Sequence, residues 1–387
     1  YKSITGDSIK YIRQYQDYLE NMNNEAVEYV RGIPVVKVFQ QTVYSFKSFY
    51  DTIMEYKKFV IKFCQEFKNP MTLFTTVING TFVLLIPVGI ILIKSSYDPL
   101  KFLQNFIFYI LFIPLCSMMI NKIMYIGEAK SVADESVKRI ASLLKEKKLG
   151  KPVEAEFPDN YGIEFSNVSF TYKGKDKPAV NNVSFTIPQG TTTALVGESG
   201  SGKTTIGALI PRFWDIEKGK ILVGGVDIKE IEMSELMKMV SFVFQDIHLF
   251  KRSILDNIRI SKPEASIDKV MEAVKAAQCD DIIIIFPFGI ETVIGAKGVY
   301  LSGGEMQRIA IAGAILKDSP IIVLDEATAF ADPENEYKIQ RALEVLTKNK
   351  TVVMIAHRLS TIKNADQIIV LKNGEIAERG KHNILVE

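Results

Sequence analysis

Ala194-Leu195-Val196-Gly197-Glu198-Ser199-Gly200-Ser201-Gly202-Lys203-Thr204-Thr205 is the stretch whose reading decides the fold. A short apolar strand runs into a glycine-rich turn, and a Lys-Thr pair then opens a helix. Gly197, Gly202, Lys203 and Thr204 meet the spacing G-x-x-x-x-G-K-[ST] of a phosphate-cradling loop. Glycines let backbone N–H groups crowd an anion with no Cβ in the way. The helix that starts near Lys203 points its unsatisfied N–H groups and positive dipole end at that anion. The run Gly197, Glu198, Ser199, Gly200, Ser201, Gly202, Lys203, Thr204 and Thr205 is therefore expected to cradle phosphates. Lys203 would reach the β- and γ-phosphates, and the Thr204 hydroxyl would sit on Mg²⁺.

Downstream, strands and helices alternate from residue 163 onward. Residues 163–172 and 180–187 read as antiparallel strands, followed by the loop strand and by 220–223 and 240–244. Helical stretches cover 266–279, 302–316 and 333–347. The runs 320–324, 351–355 and 367–371 are continuously apolar, as strands buried on both faces of a parallel sheet require. One of them ends in two carboxylates, Ile321-Ile322-Val323-Leu324-Asp325-Glu326. The expectation is a strand lying beside the phosphate-loop strand, with Asp325 holding Mg²⁺ and Glu326 orienting the attacking water. A further helix begins at Leu301-Ser302-Gly303-Gly304-Glu305-Met306-Gln307-Arg308. Ser302 can cap it, and Gly303 and Gly304 leave bare N–H groups at its start, a second anion site. A chain with a complete phosphate loop has no evident need of a second one. It makes sense if Ser302, Gly303 and Gly304 meet the phosphates of another subunit.

The 387 residues give two or three domains with ample core. Lys plus Arg number 47 against 45 Asp plus Glu, a net charge of +2, so no strong field argues for nucleic acid. Cys64, Cys116 and Cys279 are odd in number and far apart, without metal spacing, and read as reduced thiols, two of them packing residues. The chain opens at Tyr1 on residues that read as mid-helix, which points to a fragment of a larger protein.

Residues 8–68 are polar and helical, with Tyr11, Tyr15, Tyr18, Met22 and Tyr29 on a packing stripe. A break is expected near Gly32-Ile33-Pro34, then a short apolar piece 35–39 and another helix from about Ser45. Residues 71–93 carry no charge, and as a helix they span ~34 Å, enough for a ~30 Å hydrocarbon layer. Residues 102–121 are a second uncharged run. Only Lys94-Ser95-Ser96-Tyr97-Asp98-Pro99-Leu100-Lys101 separates them, so the two spans form a hairpin. The outer flanks carry Lys57, Lys58, Lys62, Lys68, Lys122, Lys130, Lys138 and Arg139, which places the flanks in the cytoplasm and the loop outside. Two spans cannot build a pathway alone, so more helices must come from elsewhere. Asn79, Thr75, Thr76, Gln104, Tyr109 and Ser117 either face a pathway or bond between helices. The expected domains are a partial transmembrane domain over 1–148 with its exit helix at 122–148, a linker at 149–162, and a nucleotide-binding domain at 163–387.

With these residues in hand the whole chain resembles the ATP-binding cassette (ABC) transporters, of the bacterial exporter type with a membrane domain fused ahead of its ATPase. Leu301–Glu305 matches the family signature Leu-Ser-Gly-Gly-Gln with Glu for Gln. Gln245, in Phe244-Gln245-Asp246, matches the loop that senses Mg²⁺ and the membrane domain. His357 matches the switch histidine near the γ-phosphate, and Tyr172 the aromatic that stacks on adenine. The resemblance implies an α/β P-loop ATPase domain, mostly parallel sheet with an antiparallel β subdomain and a helical subdomain, preceded by a partial all-α transmembrane domain. It implies catalytic roles for Glu326, His357, Lys203 and Gln245, Mg²⁺ held by Thr204, Gln245 and Asp325, and ATP and Mg²⁺ as ligands. A second half-transporter, identical or related, is the implied partner, together with membrane lipid and a transported small molecule, in a multi-pass inner-membrane protein with a cytoplasmic ATPase. Residues 25–39 look like the fourth helix running into the second coupling helix, and the two uncharged runs like the fifth and sixth spans. On this resemblance the first spans are missing, and the C-terminus is short of the usual final helix. Residues 21–39 look most like siderophore-handling heterodimers that import despite an exporter fold. A lipid, peptide or drug-like cargo stays open.

Departures from the family pattern stand beside these matches. Ala329-Phe330-Ala331-Asp332 keeps only the final Asp of the usual Ala-Thr-Ser-Ala-Leu-Asp. Gly295-Ala296-Lys297-Gly298 has Ala where exporters carry Glu, and Gly313 stands where the family has Arg. Two other readings therefore remain: a catalytically weak regulatory half of a heterodimer, and a non-transporting ABC ATPase switch.

Overall fold

Long uninterrupted helices come first in the chain, because residues 2–144 hold only isolated helix breakers between their apolar and charged stripes. The computed structural model describes residues 2–38, 47–94, 97–145, 149–152, 154–295, 299–325, 333–356 and 362–385. Two units result, Tyr1–Lys147 and Lys148–Glu387.

Among the described residues the first unit is three helices, α1 (Lys2–Val38), α2 (Lys47–Ile93) and α3 (Pro99–Leu144). The break expected at Gly32-Ile33-Pro34 does not occur, since α1 runs on to Val38. Proline removes its own N–H bond, and with only four residues left in the helix few bonds lie beyond it. The charged helical stretch and the first uncharged run lie on one helix, α2, with Pro70 and Pro87 inside it. The second span and the exit helix are also one element, α3, which contains Pro114. Asp98 caps α3 by accepting from the Lys101 N–H at 3.1 Å, and Pro99 opens the first turn, where its missing donor costs nothing. By length and composition, Lys47–Ile93 and Pro99–Ile123 are able to cross a membrane, with mean hydropathy of 2.3 and 1.9 in their most apolar windows.

The tyrosine stripe of α1 packs on an aromatic stripe of α2. Tyr18 meets Phe59 at 4.9 Å between ring centroids, Tyr11 meets Phe63 and Phe67 at 5.8 Å, and Tyr29 stacks on Phe49 at 5.6 Å. Arg139 of α3 reaches back to Asp17 at 2.8 Å and Glu20 at 2.7 Å on α1. Between α2 and α3 the buried Gly89 admits the Phe106 ring so closely that a Cβ would collide with it. Ser117 donates to the Ile78 carbonyl at 3.4 Å, and Asn121 to the Ser117 carbonyl at 2.9 Å. These two polar groups are therefore engaged in bonds within and between helices.

The second unit holds two sheets. A four-stranded antiparallel sheet has the order β2 (Val180–Ile187), β1 (Ile163–Phe170), β4 (Lys218–Val223), β5 (Val226–Asp227). A six-stranded sheet has the order β10 (Glu375–Gly380), β9 (Gln367–Lys372), β3 (Thr192–Gly197), β8 (Thr351–Ile355), β7 (Ile321–Asp325), β6 (Val240–Val243). All neighbours in it are parallel except β10 on β9. β7 is buried at every position, as its unbroken apolar run requires. The expectation that β7 lies beside the phosphate-loop strand is corrected here: β8 stands between β3 and β7. Helical crossovers let a parallel strand insert between two others, and apolar runs alone do not encode that order.

One core, built on Phe165, Leu195, Ile206, Ile221 and Val353, joins the antiparallel sheet to the central one through α4 (Lys203–Leu209). A second core, around Ile258, Ile311, Leu324 and Leu343, gathers the helical layer. That layer comprises α6 (Ile254–Arg259), α7 (Ile267–Ala276), α8 (Asp280–Ile285), α9 (Gly303–Lys317) and α10 (Pro333–Thr347), whereas α5 (Met233–Met239) buries Leu236 in the first core and α11 (His382–Leu385) follows β10. Gly313 on α9 is buried against α6, and a Cβ there would meet the Ile258 carbonyl at 3.5 Å, an ordinary contact. All three cysteines are free thiols, with Cys279 buried, Cys116 half-buried and Cys64 exposed. Burial pushes the Cys279 thiol up to about 12, so it stays neutral and unreactive.

Candidate functional site

β3 delivers its chain into the turn that the glycine spacing predicts. Gly197 has φ +147° and Gly202 φ +100°. A Cβ on Gly197 would collide with the Leu371 carbonyl, and one on Gly202 would lie 2.5 Å from the Ala179 carbonyl. Both positions thus exclude a side chain by conformation and by space together. The turn is closed by the Ser201 N–H donating to the Glu198 carbonyl at 3.2 Å, and it is tied to the strand hairpin by Gly374 N–H to the Ser201 carbonyl at 3.1 Å. Gly202 then stands at the N-cap of α4 with no side chain to satisfy the helix's first donors. A helix start without a side-chain cap is the kind of end that receives an anion.

Lys203 is 4% exposed, and its ammonium donates to the Gly197 carbonyl at 2.9 Å and the Glu198 carbonyl at 2.8 Å. The cation is thereby held over the rim of the turn. Although β7 is one strand removed from β3, the Thr204 hydroxyl lies 3.4 Å from Asp325 Oδ1. The first turn of α4 bridges the gap that the strand order leaves. Tyr172, just past the end of β1, shares a 3.1 Å hydrogen bond between its hydroxyl and that of Thr205.

A cavity of about 350 Å³ is lined by Tyr172, Ala179, Ser199, Gly200, the Gly202–Thr205 run and Gln245. Residues from four separate stretches of sequence therefore meet at one opening, and its volume suits a nucleotide-sized ligand. Ser201 is buried beneath the turn, and its hydroxyl finds no hydrogen-bond partner among the described residues. A hydroxyl, a carboxylate and a carboxamide around the cavity are hard oxygen donors, the set that Mg²⁺ takes alongside substrate phosphates. Among the described residues no cluster of three or more His, Cys, Asp or Glu forms an all-protein metal cage, so a metal here would complete its shell with phosphate and water.

Ser302, Gly303 and Gly304 lie outside that cavity. Ser302 caps α9 by accepting from the Glu305 N–H at 3.3 Å, while the Glu305 carboxylate accepts from the Ser302 N–H at 2.7 Å. This is a reciprocal capping box. Ser302 and Gly303 are exposed, whereas Gly304 is buried with a Cβ position 3.0 Å from Asn335. Glu326, His357 and the segments 329–332 and 296–298 lie outside the described residues.

One constellation escaped the sequence reading. Arg308, 1% exposed, is bonded to the Gln278 carbonyl, to Asp281 Oδ1 at 2.6 Å and to Asn335 Oδ1 at 3.0 Å, and Lys338 takes Asp281 Oδ2 at 2.9 Å. Burial works to raise the Asp281 pKa, but the bonds from Arg308 and Lys338 win and hold it below the usual carboxylate range. The network joins the start of α9 to α8 and α10. Its sequence signal was a cation followed on its helix by eight residues that are all apolar or glycine.

The ABC transporter family profile matches residues 180–329. The mycobactin import ATP-binding/permease protein IrtA of Mycolicibacterium smegmatis is 40% identical over 381 residues, covering 97% of this chain and 43% of that protein. The ATP-dependent lipid A-core flippase of Haemophilus influenzae is 50% identical over 231 residues, 59% of this chain and 39% of the flippase. The same-named flippase of Escherichia coli K12 is 51% identical over 226 residues. The chain thus spans about two fifths of the length of the curated relatives it matches. A bacterial Atm1-family ABC exporter with ATP bound superposes with a TM-score of 0.76 at 27% identity, covering all of this chain and 70% of the exporter.

Proposed function

We propose that this chain, an ABC transporter ATP-binding domain fused to part of an exporter-type membrane domain, couples ATP binding and hydrolysis to movement of a small molecule across a membrane. The observation that carries the reading is the single cavity shared by Tyr172, the phosphate loop and Gln245, with Thr204 set against Asp325. In it Tyr172 takes the base, the N–H groups of Gly197–Thr205 take the phosphates, and Lys203 leaves its two carbonyls for the terminal phosphates. Thr204, Asp325 and Gln245 would hold Mg²⁺, which neutralises charge on the phosphate oxygens. Glu326 orients the attacking water, and His357 contacts the transferred phosphoryl group.

The second anion site makes the chain half of a machine. Exposed Ser302 and Gly303 at the start of a 15-residue helix offer N–H groups to the triphosphate held by another subunit. ATP then bridges two chains, closure pulls on the membrane helices, and hydrolysis releases the bridge. The partner is a second half-transporter, and the assembly sits in the inner membrane with its ATPase in the cytoplasm. The mycobactin import protein IrtA aligns over 97% of this chain, the membrane helices as well as the ATPase. That favours a cargo of siderophore class over the lipid named for the flippases, whose matches cover under two thirds of this chain.

The test is ATPase activity of the chain in lipid, alone and with its natural partner. Mg²⁺-dependent hydrolysis is expected, and the Glu326→Gln variant should lose at least about tenfold in turnover while retaining ATP in a closed dimer. Hydrolysis by Glu326→Gln at the native rate would overturn its role. Absence of any Mg²⁺-dependent hydrolysis with the partner present would favour the regulatory half instead.

A further inference from the structure

Tyr172 lies beyond the last paired residue of β1, so the sheet no longer fixes its side chain. Its ring is fixed by neighbours instead. Phe170 meets it edge-on at 4.9 Å and 82°, Trp214 meets it edge-on at 5.3 Å and 85°, and its hydroxyl is bonded to Thr205. Phe170 is part of the buried core, and Thr205 belongs to the phosphate loop. Trp214 has neither task. It is 42% exposed, does not line the nucleotide cavity, and is the only tryptophan of the 387 residues.

The segment that presents Trp214 is itself clamped. Arg212, buried and in the left-handed region at φ +57°, donates from Nε to Asp215 Oδ1 at 2.7 Å and from its terminal nitrogen to the Gly150 carbonyl at 2.9 Å. The Arg212–Asp215 pair straddles Phe213 and Trp214 and closes the turn on which they stand. Phe213 lies edge-on to Trp214 at 6.3 Å and stacks on Phe244 at 6.1 Å. The indole is thus held from behind, and its quadrupole meets that of Tyr172 in the orientation aromatic pairs prefer.

We propose that Trp214 is a positioning residue for base recognition: packed edge-on against Tyr172, it sets the plane of the ring on which the nucleotide base stacks and so governs affinity for the base but not for the phosphates. The proposal rests on the reading of Tyr172 as the base-stacking residue. An aromatic pair of this kind contributes the equivalent of a threefold to tenfold change in affinity, about what its loss should cost.

The experiment measures equilibrium binding of Mg-ATP and of Mg-tripolyphosphate, which lacks a base, to the full chain in lipid, with steady-state ATPase alongside. Trp214→Ala should weaken ATP binding and raise KM about threefold to tenfold, leave tripolyphosphate binding intact, and leave kcat at saturating ATP unchanged. Trp214→Phe should recover most of the affinity. Unchanged ATP affinity in Trp214→Ala overturns the proposal, and so does an equal loss for ATP and tripolyphosphate, which marks general damage. Tyr172→Ala separates the two layers. If it weakens ATP while Trp214→Ala does not, only the role of Trp214 falls. If Tyr172→Ala binds ATP as the native chain does, the base-site reading falls and the proposal with it.

Discussion

Lys203→Ala lowers ATP turnover by at least about 10²-fold, the cost of removing one preorganised charge donor from a site where negative charge is handled. The ammonium is buried and fixed by two carbonyls of its own loop, so it is aimed before any nucleotide arrives. The loss is not expected to come from unfolding. The two carbonyls belong to half-buried Gly197 and exposed Glu198, where water can replace the lysine, and the helix behind them keeps its bonds. Lys203→Arg should not rescue activity, because a planar guanidinium does not occupy the space of a compact ammonium. Phosphate release measured at saturating Mg-ATP is the check, and activity within about threefold of native would contradict the assignment.

Arg308→Ala should destabilise the ATPase unit by about 3 kcal/mol, the low end of the range for breaking a buried ion pair because Asp281 keeps some exposure and keeps Lys338. Three acceptors each take a bond from this guanidinium: the Gln278 carbonyl, Asp281 and Asn335. Its removal leaves them short of a donor and opens a void beneath the signature turn. For a unit of this size the change corresponds to a drop of about 6–12 °C in midpoint temperature. The acid limb follows from the sign of the Asp281 shift. Its folded pKa is held below the unfolded value of ~3.9, so this contribution is complete at neutral pH and disappears as pH falls through the lowered folded value. Thermal unfolding followed at pH 7 tests the claim, and a midpoint within about 2 °C of native would refute it.

How much of this was legible in the sequence depends on how local each signal is. The phosphate loop was readable because glycine positions, lysine and helix start all lie within one turn. Asp325 was readable as the end of a buried strand, but the neighbour of that strand was not. Strand order is set by crossovers tens of residues away, so β8 between β3 and β7 left no local trace. The break expected at Pro34 failed for another reason: a proline near a helix end removes little, so the rule that stops helices lost to simple continuation. Short elements such as α6 and α8, six residues each, gave too few periods to read. Arg308 and Trp214 were invisible as functional residues because their meaning lies in what they touch across the fold.

The central claim is that one chain's phosphate loop and another's signature turn clamp the same nucleotide. Cross-linking tests it most directly, with cysteines placed at Ser199 and Ser302 and the native Cys64, Cys116 and Cys279 replaced by serine. Mg-ATP should produce a covalent dimer joined between Ser199→Cys of one subunit and Ser302→Cys of the other, and removing nucleotide should abolish it. A cross-link confined to one chain, or a dimer yield indifferent to ATP, would contradict the account.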